Sequence, residues 1–467
     1  MLIWHNWFTL VKKLRPAFSR NRTFLWFVVC LAGISIRSDL MGVTSIVRSI
    51  GLRSIYYDRL LDFFHTKAVC PDNLARLWTK IVLSYFPLLI RFNGKPVFVG
   101  DGIKVAKSGK KMPGVKLLHQ QSESNTKPEY ITGHSFQAVG VLCGALRGVF
   151  CVPLISRIHE GVKFSPKEKD TLLDKMIKLL NILAVDEPCN FVADAYYASK
   201  NIINPLLEKG WTLITRVRSN AVAYFPATED SQPKSRGRKR VYGQKVRLKD
   251  LALLKGEMQE VNSPVYGEAG ILLRYLCLDL LWRPIGKMVR FVIVVHPTRG
   301  TIFLMGTDLS LSPVDIIKIY GYRFKIEVSF KQILRIIGGY AYHFWMLGMV
   351  PYKKKSGDIY LHRTSKEYRN AVKRKMNAYH LYTQTAIIAQ GMMMYLALHC
   401  PKLIWKNFGS WMRTMNVDAT PSEFVTSTAL KNTFSEFLVD WRDYPNLKKF
   451  ILEKLDFELK ENIPWAA

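Results

Sequence analysis

The sequence predicts a mixed α/β fold, with a β-rich insertion in the central sheet and helical regions at both ends. Three observations predict this. The hydrophobic period changes from helical to strand-like at Pro96. Three strand patterns, a helix, a strand, a helix and a strand then follow one another up to Arg218. Strand patterns return between Arg218 and Ser312, and helical patterns fill the remainder.

Residues 1–95 are predicted to be helical and to contact DNA. Six apolar residues recur at i, i+3, i+4, i+7, i+8 and i+11 between Leu74 and Tyr85, after the cap candidates Asp72 and Asn73. The same region carries basic side chains suited to phosphate contact: Lys12, Lys13, Arg15, Arg20, Arg22, Arg37, Arg48 and Arg53.

Residues 96–218 are predicted to form the first part of the α/β core. Its first three strands are "PVFVGDG", "HSFQAVGVLCG" and "GVFCVPLISR". Ser165 and Glu168 form a capping box, which predicts that the following helix starts there. The fourth strand ends at Asp194, a helix leads to Gly210, and "WTLITRVRS" is the fifth strand.

The rest of the chain divides into three predicted regions. Residues 219–311 form a β-rich insertion, in which the stretch "PATEDSQPKSRGRKRVYGQK" is predicted to be a basic loop or arm. Residues 312–350 complete the core with the helix that carries Glu327, and residues 351–467 form a basic helical region.

The charge of the chain predicts a polyanionic partner. Lys and Arg number 68 against 36 acidic residues, the net charge is +32 and the pI is about 9.8. Nucleic acid and anionic membrane are the usual polyanions. The apolar stretches Thr23–Ile36 and Ala386–Cys400 are shorter than the roughly 18 residues of a membrane span, so we expect buried helices and no membrane. A basic membrane-associated protein is the weaker alternative.

The cysteine and motif content predicts an intracellular protein without a nucleotide cofactor. The seven cysteines are scattered and form no CxxC pair, which is typical of reduced thiols. The N-terminal residues do not follow the pattern of a secretory signal, so we expect a cytoplasmic location. There is no P-loop, hence no expected ATP, and no zinc spacing among the ten histidines.

Three carboxylates are the candidates for a functional site. Asp101 follows the apolar run of the first strand, where alone it would indicate a simple turn. Asp194 ends the fourth strand, where alone it would indicate a cap of the next helix. If strands one and four are neighbours, the two aspartates lie side by side, and Glu327 can join them from its helix. Clustered carboxylates with hard oxygen ligands suit Mg²⁺ or Mn²⁺.

The helix around Glu327 has one charged stripe. Tyr320, Arg323, Glu327 and Lys331 fall within roughly 80° of one another, provided that the helix runs unbroken through Gly321. Solvated i,i+4 ion pairs are the simpler explanation. The many apolar neighbours of the stripe argue against a freely solvated helix.

The stretches "VGDGIKVAKSGKKMPG", "VADAYYAS" and "YGYRFKIEVSFKQ" resemble bacterial insertion-sequence transposases of the DDE type, in the branch with a Tyr-Arg-Glu-Lys signature and a β-strand insertion. The resemblance spans nearly the whole chain. Tyr320, Arg323 and Glu327 occupy the first three places of Y-x2-R-x3-E-x6-K. The fourth place holds Leu334, and Lys331 and Arg335 are the nearest cations.

This resemblance implies a ribonuclease-H-like core with Asp101, Asp194 and Glu327 as catalytic and metal-binding residues, and Mg²⁺ or Mn²⁺ as cofactor. It implies cleavage at the terminal inverted repeats of a mobile element, strand transfer into target DNA, and a synaptic homodimer formed through the C-terminal helices. Tyr320 and Arg323 would contact DNA phosphates, with Lys331 beside them. A bacterial cytoplasm, with nucleoid association when DNA is bound, is the implied location.

The basic arm adds a second predicted DNA contact. Its cations can follow a phosphate backbone, although a solvated loop would have the same composition. The arm residues assigned to DNA are Arg236, Arg238, Lys239 and Arg240. Two alternatives to a transposase remain open: a catalytically decayed sequence-specific DNA-binding protein, and a metal-dependent nuclease without strand transfer.

Overall fold

The computed structural model describes residues 2–120, 128–145, 148–227, 240–253, 255–265, 267–353, 357–409, 415–440 and 444–457. The fold is the predicted mixed α/β arrangement of a large mixed sheet with helical regions before and after it.

Five helices precede the sheet. They are α1 (Leu2–Lys12), α2 (Asn21–Ile36), α3 (Gly42–Ile50), α4 (Tyr57–Phe64) and α5 (Pro71–Tyr85). Helix α2 is apolar on nearly every side and is buried almost throughout, as expected for a helix inside a helical cluster.

The core sheet follows in an order that alternates strands and helices. Its elements are β1 (Arg91–Phe92), β2 (Lys95–Ala106), β3 (Lys116–His119), β4 (Tyr130–Ala145), β5 (Gly148–Ile158), β6 (Val162–Lys163), α6 (Leu172–Leu183), β7 (Asn190–Ala193), α7 (Lys200–Glu208) and β8 (Thr212–Arg216).

Five of these strands have the ribonuclease-H-like arrangement. They lie side by side in the order β5, β4, β2, β7, β8. The pairs β5–β4 and β4–β2 are antiparallel, whereas β2–β7 and β7–β8 are parallel, with α6 and α7 as the connections around β7. The predicted fold class is therefore confirmed.

The insertion extends this sheet and does not form a separate layer. Its elements are β9 (Val222–Pro226), β10 (Tyr242–Arg247), α8 (Leu248–Leu251), β11 (Gln259–Asn262), β12 (Leu272–Trp282), β13 (Lys287–His296) and β14 (Gly300–Gly306). Strand β14 pairs antiparallel with β8, and β13, β12, β9 and β10 follow outward, so the described part of the sheet has 13 strands.

The predicted loop between Pro226 and Lys245 is partly wrong. Strands β9 and β10 pair across this stretch, with Tyr242 opposite Pro226 and Lys245 opposite Tyr224. Alternation of polar and aromatic residues is strong enough to form a hairpin here, although the basic composition suggested only a loop. The hairpin tip, residues 228–239, lies outside the described residues.

Helices complete the chain. They are α9 (Pro313–Gly321), α10 (Lys325–Gln332), α11 (Lys366–His399), α12 (Pro401–Phe408), α13 (Glu423–Val439) and α14 (Pro445–Leu452), with a short strand β15 (Ile359–Tyr360) before α11. Among the described helices, none alone has the length and apolarity to cross a membrane; α11 and α12 reach the criterion only jointly, with a 106° bend between them.

The condition of one unbroken helix through Gly321 is not met. Helix α9 tightens into a 3₁₀ turn at Tyr322–Phe324, α10 follows, and the helix then widens into a π turn at Ile333–Ile337. The backbone stays in the right-handed helical region at Gly321 and Lys325, so the direction of the chain is kept while its winding changes. Short π segments of this kind are frequent at functional sites.

The start of α6 also differs from the prediction. Thr171 is its N-cap and forms a capping box with Asp174, so the helix begins at Leu172. Ser165 and Glu168 form a separate turn, in which the Glu168 carboxylate accepts a hydrogen bond from the Phe164 amide. Two capping patterns occur within ten residues, and only the packing of the helix decides between them.

The two faces of the core sheet bury different helices. On one face, Val99 and Val192 belong to a cluster with Ile316 and Ile326 of α9 and α10. On the other face, Gly100 leaves room for Phe191 and for Met176 of α6, since a Cβ atom on Gly100 would lie 2.4 Å from the Phe191 ring. Because side chains alternate along a strand, residues two places after Val99 and Val192 face α9 and α10.

The outer edge of β5 is covered by helices. Its carbonyl groups at Pro153 and Leu154 accept hydrogen bonds from the Trp78 indole of α5, at 3.0 Å, and from the Gln384 amide of α11, at 2.9 Å. An edge satisfied in this way cannot pair with another chain.

Gly391 is predicted to be required for the close approach of α11 to α5. A Cβ atom there would lie 2.2 Å from the buried Trp78 ring. We expect Gly391→Ala to lower the free energy of unfolding by about 1 to 3 kcal/mol, because overpacking outweighs the better helix propensity of Ala. Thermal or urea unfolding measures this. Gly348→Ala is the control, since no atom lies within 4 Å of its added carbon, and equal stability of both variants would contradict the prediction.

Candidate active site

The pairing of β2 with β7 brings the two candidate aspartates together. The parallel register sets Val97 opposite Asn190 and Val99 opposite Val192. Continued by two residues, the same register puts Asp101 level with Asp194 on strands about 4.8 Å apart, with both side chains on the face of α9 and α10. The predicted neighbourhood of strands one and four is thus observed.

The local sequence alone would make Asp101 part of a turn and Asp194 only a helix cap, and the structure differs from both simple roles. Asp101 does not form the simple turn that its Asp-Gly sequence alone would indicate, because β2 continues to Ala106 and Asp101 pairs with Ala138 of β4. Strand pairing on both sides of β2 overrides the turn preference of Asp-Gly. Asp194 does act as a cap, since its carboxylate accepts a hydrogen bond of 3.0 Å from the Tyr196 amide. One carboxylate oxygen makes this bond, so the cap leaves the other oxygen for the site.

Arg323 joins the first aspartate to Glu327. Its guanidinium donates through Nη1 to Asp101 Oδ2, at 2.8 Å, and through Nη2 to Glu327 Oε1. The side chains of Asp101 and Arg323 are 18% and 19% exposed, whereas Glu327 is 54% exposed. The site therefore has a largely buried inner pair, Asp101 and Arg323, and a more exposed outer carboxylate, Glu327.

Burial dominates the electrostatics of the aspartates. It raises the pKa of Asp101 to about 6; Arg323 and the Gly102 amide oppose this rise, and the charges of Asp194 and Glu327 add to it. Burial likewise raises the pKa of Asp194, against the Tyr196 amide and Arg323. Burial acts to lower the pKa of Arg323, but the carboxylates of Asp101 and Glu327 outweigh it, so this pKa is raised.

The cluster contains more negatively than positively charged groups. Three carboxylates surround one guanidinium, and like charges so close cannot all stay ionised without a further cation. Carboxylate oxygens are the ligands that Mg²⁺ and Mn²⁺ prefer, so the donor set fits such an ion in chemistry and charge. Within the described ranges, no three His, Cys, Asp or Glu side chains converge closely enough to hold a metal ion. Arg323 supplies the compensating charge in this arrangement.

The remaining signature residues lie around this cluster. Tyr320 is half-buried, and its pKa is raised by burial, against the opposing charges of Arg323 and Arg216. Lys331 is exposed on α10, one turn after Glu327. Leu334 and Arg335 are exposed in the π turn. A DNA contact of Tyr320, Arg323 and Lys331 stays a prediction.

Of the basic arm only one predicted contact can be placed. Arg236, Arg238 and Lys239 lie outside the described residues. Arg240 is exposed, and its Nε donates to the Tyr242 carbonyl at 2.9 Å, next to the β9–β10 hairpin. The DNA contact of the arm also stays a prediction.

Sequence reasoning missed Tyr197 as a neighbour of the site. Its side chain is buried, and its pKa is raised first by burial and then by the charges of Asp101 and Asp194. The two tyrosines that follow Asp194 in "DAYY" were the available signal. His134 is structural: it is buried between the Tyr342 hydroxyl, at 2.7 Å, and the Pro113 carbonyl, at 3.0 Å.

The strand order β5, β4, β2, β7, β8 is that of a ribonuclease-H-like core. A family model described as DDE superfamily endonuclease matches residues 13–264. This range is more than half of the chain, which therefore belongs to that family. The matched range contains Asp101 and Asp194 and ends before Glu327.

Comparisons with individual proteins add little. Comparison with curated proteins finds no match. Among solved structures, the chain is similar to a piggyBac transposase synaptic complex with hairpin DNA, at 12% identity and a TM-score of 0.31, covering 96% of this chain and 78% of that chain.

The raised pKa of Asp101 predicts how metal-free stability changes with pH. The folded protein holds this proton up to about pH 6, whereas the unfolded chain releases it near pH 4, so the Asp101 contribution falls as pH rises between these values. We expect a loss of at most about 3 kcal/mol between pH 4 and pH 7, and Asp101→Asn should lack this component.

Chemical unfolding across this pH range, in the presence of a chelator, measures the difference between wild type and variant. Asp418→Asn, at an exposed position between α12 and α13, is the control and should follow the wild-type curve. Parallel curves for wild type and Asp101→Asn would contradict the prediction.

Proposed function

We propose that the protein is a DNA transposase that cleaves DNA at the ends of a mobile element with a divalent metal and transfers the ends to target DNA. The observation that carries the proposal is the placement of Asp101 level with Asp194, with Glu327 linked to Asp101 through Arg323. Membership of the DDE superfamily endonuclease family supports the cleavage of DNA by this site.

Asp101, Asp194 and Glu327 are the residues that would hold Mg²⁺ or Mn²⁺. When bound, such an ion activates an attacking water or hydroxyl group and stabilises the leaving oxygen of a phosphodiester. The strands fix Asp101 and Asp194, whereas the exposed Glu327 side chain can adjust to complete the ligand set.

Arg323 would act on the substrate. Its Nη1 and Nη2 atoms donate hydrogen bonds to two carboxylates. A phosphate group can accept the same two hydrogen bonds through two of its oxygens. When another cation balances the carboxylates, the guanidinium can turn to a DNA phosphate beside the cleaved bond. Tyr320, whose side chain interacts with Arg323, would limit where the guanidinium can go.

The partners in this proposal are terminal repeats, target DNA and a second copy of the chain. The net charge of +32 supports extensive phosphate contact. The basic arm and Lys331 would add contacts outside the acidic cluster. Cleavage of two element ends in one complex calls for two sites, which a homodimer provides.

A second candidate is a DNA-binding protein without catalysis. Leu334 occupies the place of the signature lysine, and its side chain is exposed in the π turn, where a cation could otherwise reach DNA. The Arg323 bridge would then be a permanent ion-pair network. A nuclease without strand transfer would use the same carboxylates.

We expect specific breaks at fixed positions when DNA flanking the gene is incubated with the protein and Mg²⁺ or Mn²⁺. Asp101→Asn, Asp194→Asn and Glu327→Gln should each lower the cleavage rate on the order of 100-fold or more, since each removes charge stabilisation at the reacting phosphate. Gel analysis of end-labelled DNA measures the rate. Glu436→Gln, at an exposed position on α13, is the control.

The cleavage assay separates the candidates when a target plasmid is added. Joining of the cleaved ends to the plasmid identifies a transposase, and breaks without joining identify a nuclease. Sequence-specific binding without breaks in the wild-type protein would favour the non-catalytic candidate, and Leu334→Lys then tests whether the missing cation is the reason.

Ca²⁺, which like Mg²⁺ is a hard cation that binds carboxylate oxygens, is expected to stabilise the protein in a pH-dependent way. At tenfold excess over its dissociation constant, a bound ion contributes about 1.4 kcal/mol. Because the pKa of Asp101 is about 6, the stabilisation should be present at pH 7.5 and mostly lost at pH 5. Thermal unfolding with and without Ca²⁺ measures it. An undiminished effect in Asp194→Asn would place the ion elsewhere.

A further inference from the structure

Three large apolar side chains are exposed together in the segment that follows the Glu327 helix. Trp345, Leu347 and Val350 are 64%, 88% and 76% exposed. Their neighbours Phe344, Met346 and Met349 are buried. We call the three exposed side chains the apolar platform. Such a group on a surface normally marks a binding site.

The segment carrying the platform is held firmly. The Met346 amide donates to the Lys111 carbonyl at 2.9 Å, and the Tyr352 amide donates to the Lys110 carbonyl at 2.6 Å. The Lys111 ammonium donates to the Leu347 carbonyl at 3.0 Å. The exposed side chains therefore stand on a fixed backbone, which lowers the entropic cost of binding.

A glycine allows the Trp345 indole to lie close to the lysine-bearing segment. A Cβ atom on Gly109 would be 2.9 Å from Trp345 Nε1. The indole is thus packed along one edge against the backbone beside Lys110, while most of its surface faces outward.

The two segments that form the platform carry an excess of positive charge. Residues 104–119 and 334–353 contain seven Lys or Arg residues and no Asp or Glu. Of these cations, Lys107 is buried and Lys116 is paired with Asp358, so the other five contribute to the charge of the surface. This composition fits a polyanion, and it opposes a second copy of the same face, because the cations of the two copies would repel one another.

Both segments continue directly from the elements of the acidic site. Residues 104–112 follow Asp101 along and beyond β2, and residues 334–350 follow the helix of Glu327. From Asp101 to Ala106 the strand covers about 17 Å at about 3.3 Å per residue. The platform therefore lies beyond the end of this strand, where Gly109 is next to Trp345. A displacement of that length parallel to a duplex would cover about five base pairs at about 3.4 Å each.

We propose that the apolar platform contacts DNA a few base pairs from the cleaved bond, with Trp345 and Leu347 against unstacked bases and Lys110 and Lys111 on the flanking phosphates. This rests on the proposed function. Exposed aromatic side chains stack on bases, and apolar side chains between base steps stabilise a local distortion of the duplex. The fixed spacing from Asp101 would then align the distortion with the cleavage position.

The test compares binding of a short duplex with binding of the same duplex carrying a two-nucleotide bulge beside a 2-aminopurine base. We expect tighter binding of the bulged duplex and a change in 2-aminopurine fluorescence. Trp345→Ala combined with Leu347→Ala should weaken binding of the bulged duplex about tenfold and remove the fluorescence change. Trp345→Phe should keep most of both, and Leu253→Ala, at another exposed apolar position, should change neither.

Salt dependence distinguishes the two kinds of contact. The double variant should keep the wild-type dependence of affinity on salt, because it loses no phosphate contact. Lys110→Ala with Lys111→Ala should lower the salt slope by about one to two. Unchanged thermal unfolding of the variants would show that the fold is intact.

Equal affinity of wild type and double variant for the bulged duplex would overturn the proposal. So would a loss of dimer mass in the double variant with DNA binding unchanged, which would assign the platform to a second copy, or binding to phosphatidylserine vesicles that alone depends on Trp345. Failure of the wild-type protein to bind or cleave any DNA would instead remove the proposed function itself.

Discussion

The parallel pairing of β2 with β7 is the constraint on which the site depends. It is formed between buried strands, and Val99 and Val192 fix both the register and the face. A shift by one residue would turn one of the two aspartates to the opposite face, against Phe191 and α6. The core that stabilises the sheet therefore also sets the distance between the carboxylates.

Arg323 is the second determinant of the site. Its guanidinium is oriented by the 3₁₀ turn between α9 and α10, and it compensates part of the charge that the sheet has collected. Arg323 lies in this turn and Glu327 lies one helical turn later on α10, and the guanidinium contacts both Asp101 and Glu327. The arrangement combines two aspartates on neighbouring strands with an exposed glutamate that is held through an arginine.

The two segments leaving the acidic site extend its geometry outward. Continuing β2 and the Glu327 helix, they meet through hydrogen bonds between Lys110 or Lys111 and the segment of Trp345. Positive charge and exposed apolar surface are thus combined on a backbone that is coupled to the carboxylates. The insertion, by contrast, extends the sheet beyond β8 and lies on the other side of the parallel strands.

The sequence by itself determined the class of fold, the order of the main strands and helices, and the choice of Asp101, Asp194 and Glu327 as candidates. Hydrophobic periodicity, capping residues and charge are local properties of the sequence. The residues that carry the family resemblance can likewise be read directly from it. Only the tertiary structure decided that β14 continues the sheet beside β8, that α6 begins at Leu172 after the Thr171 cap, and that Arg323 bridges Asp101 to Glu327. These depend on contacts between segments far apart in the chain, where competing local signals, such as two capping boxes or an Asp-Gly turn, are settled by packing.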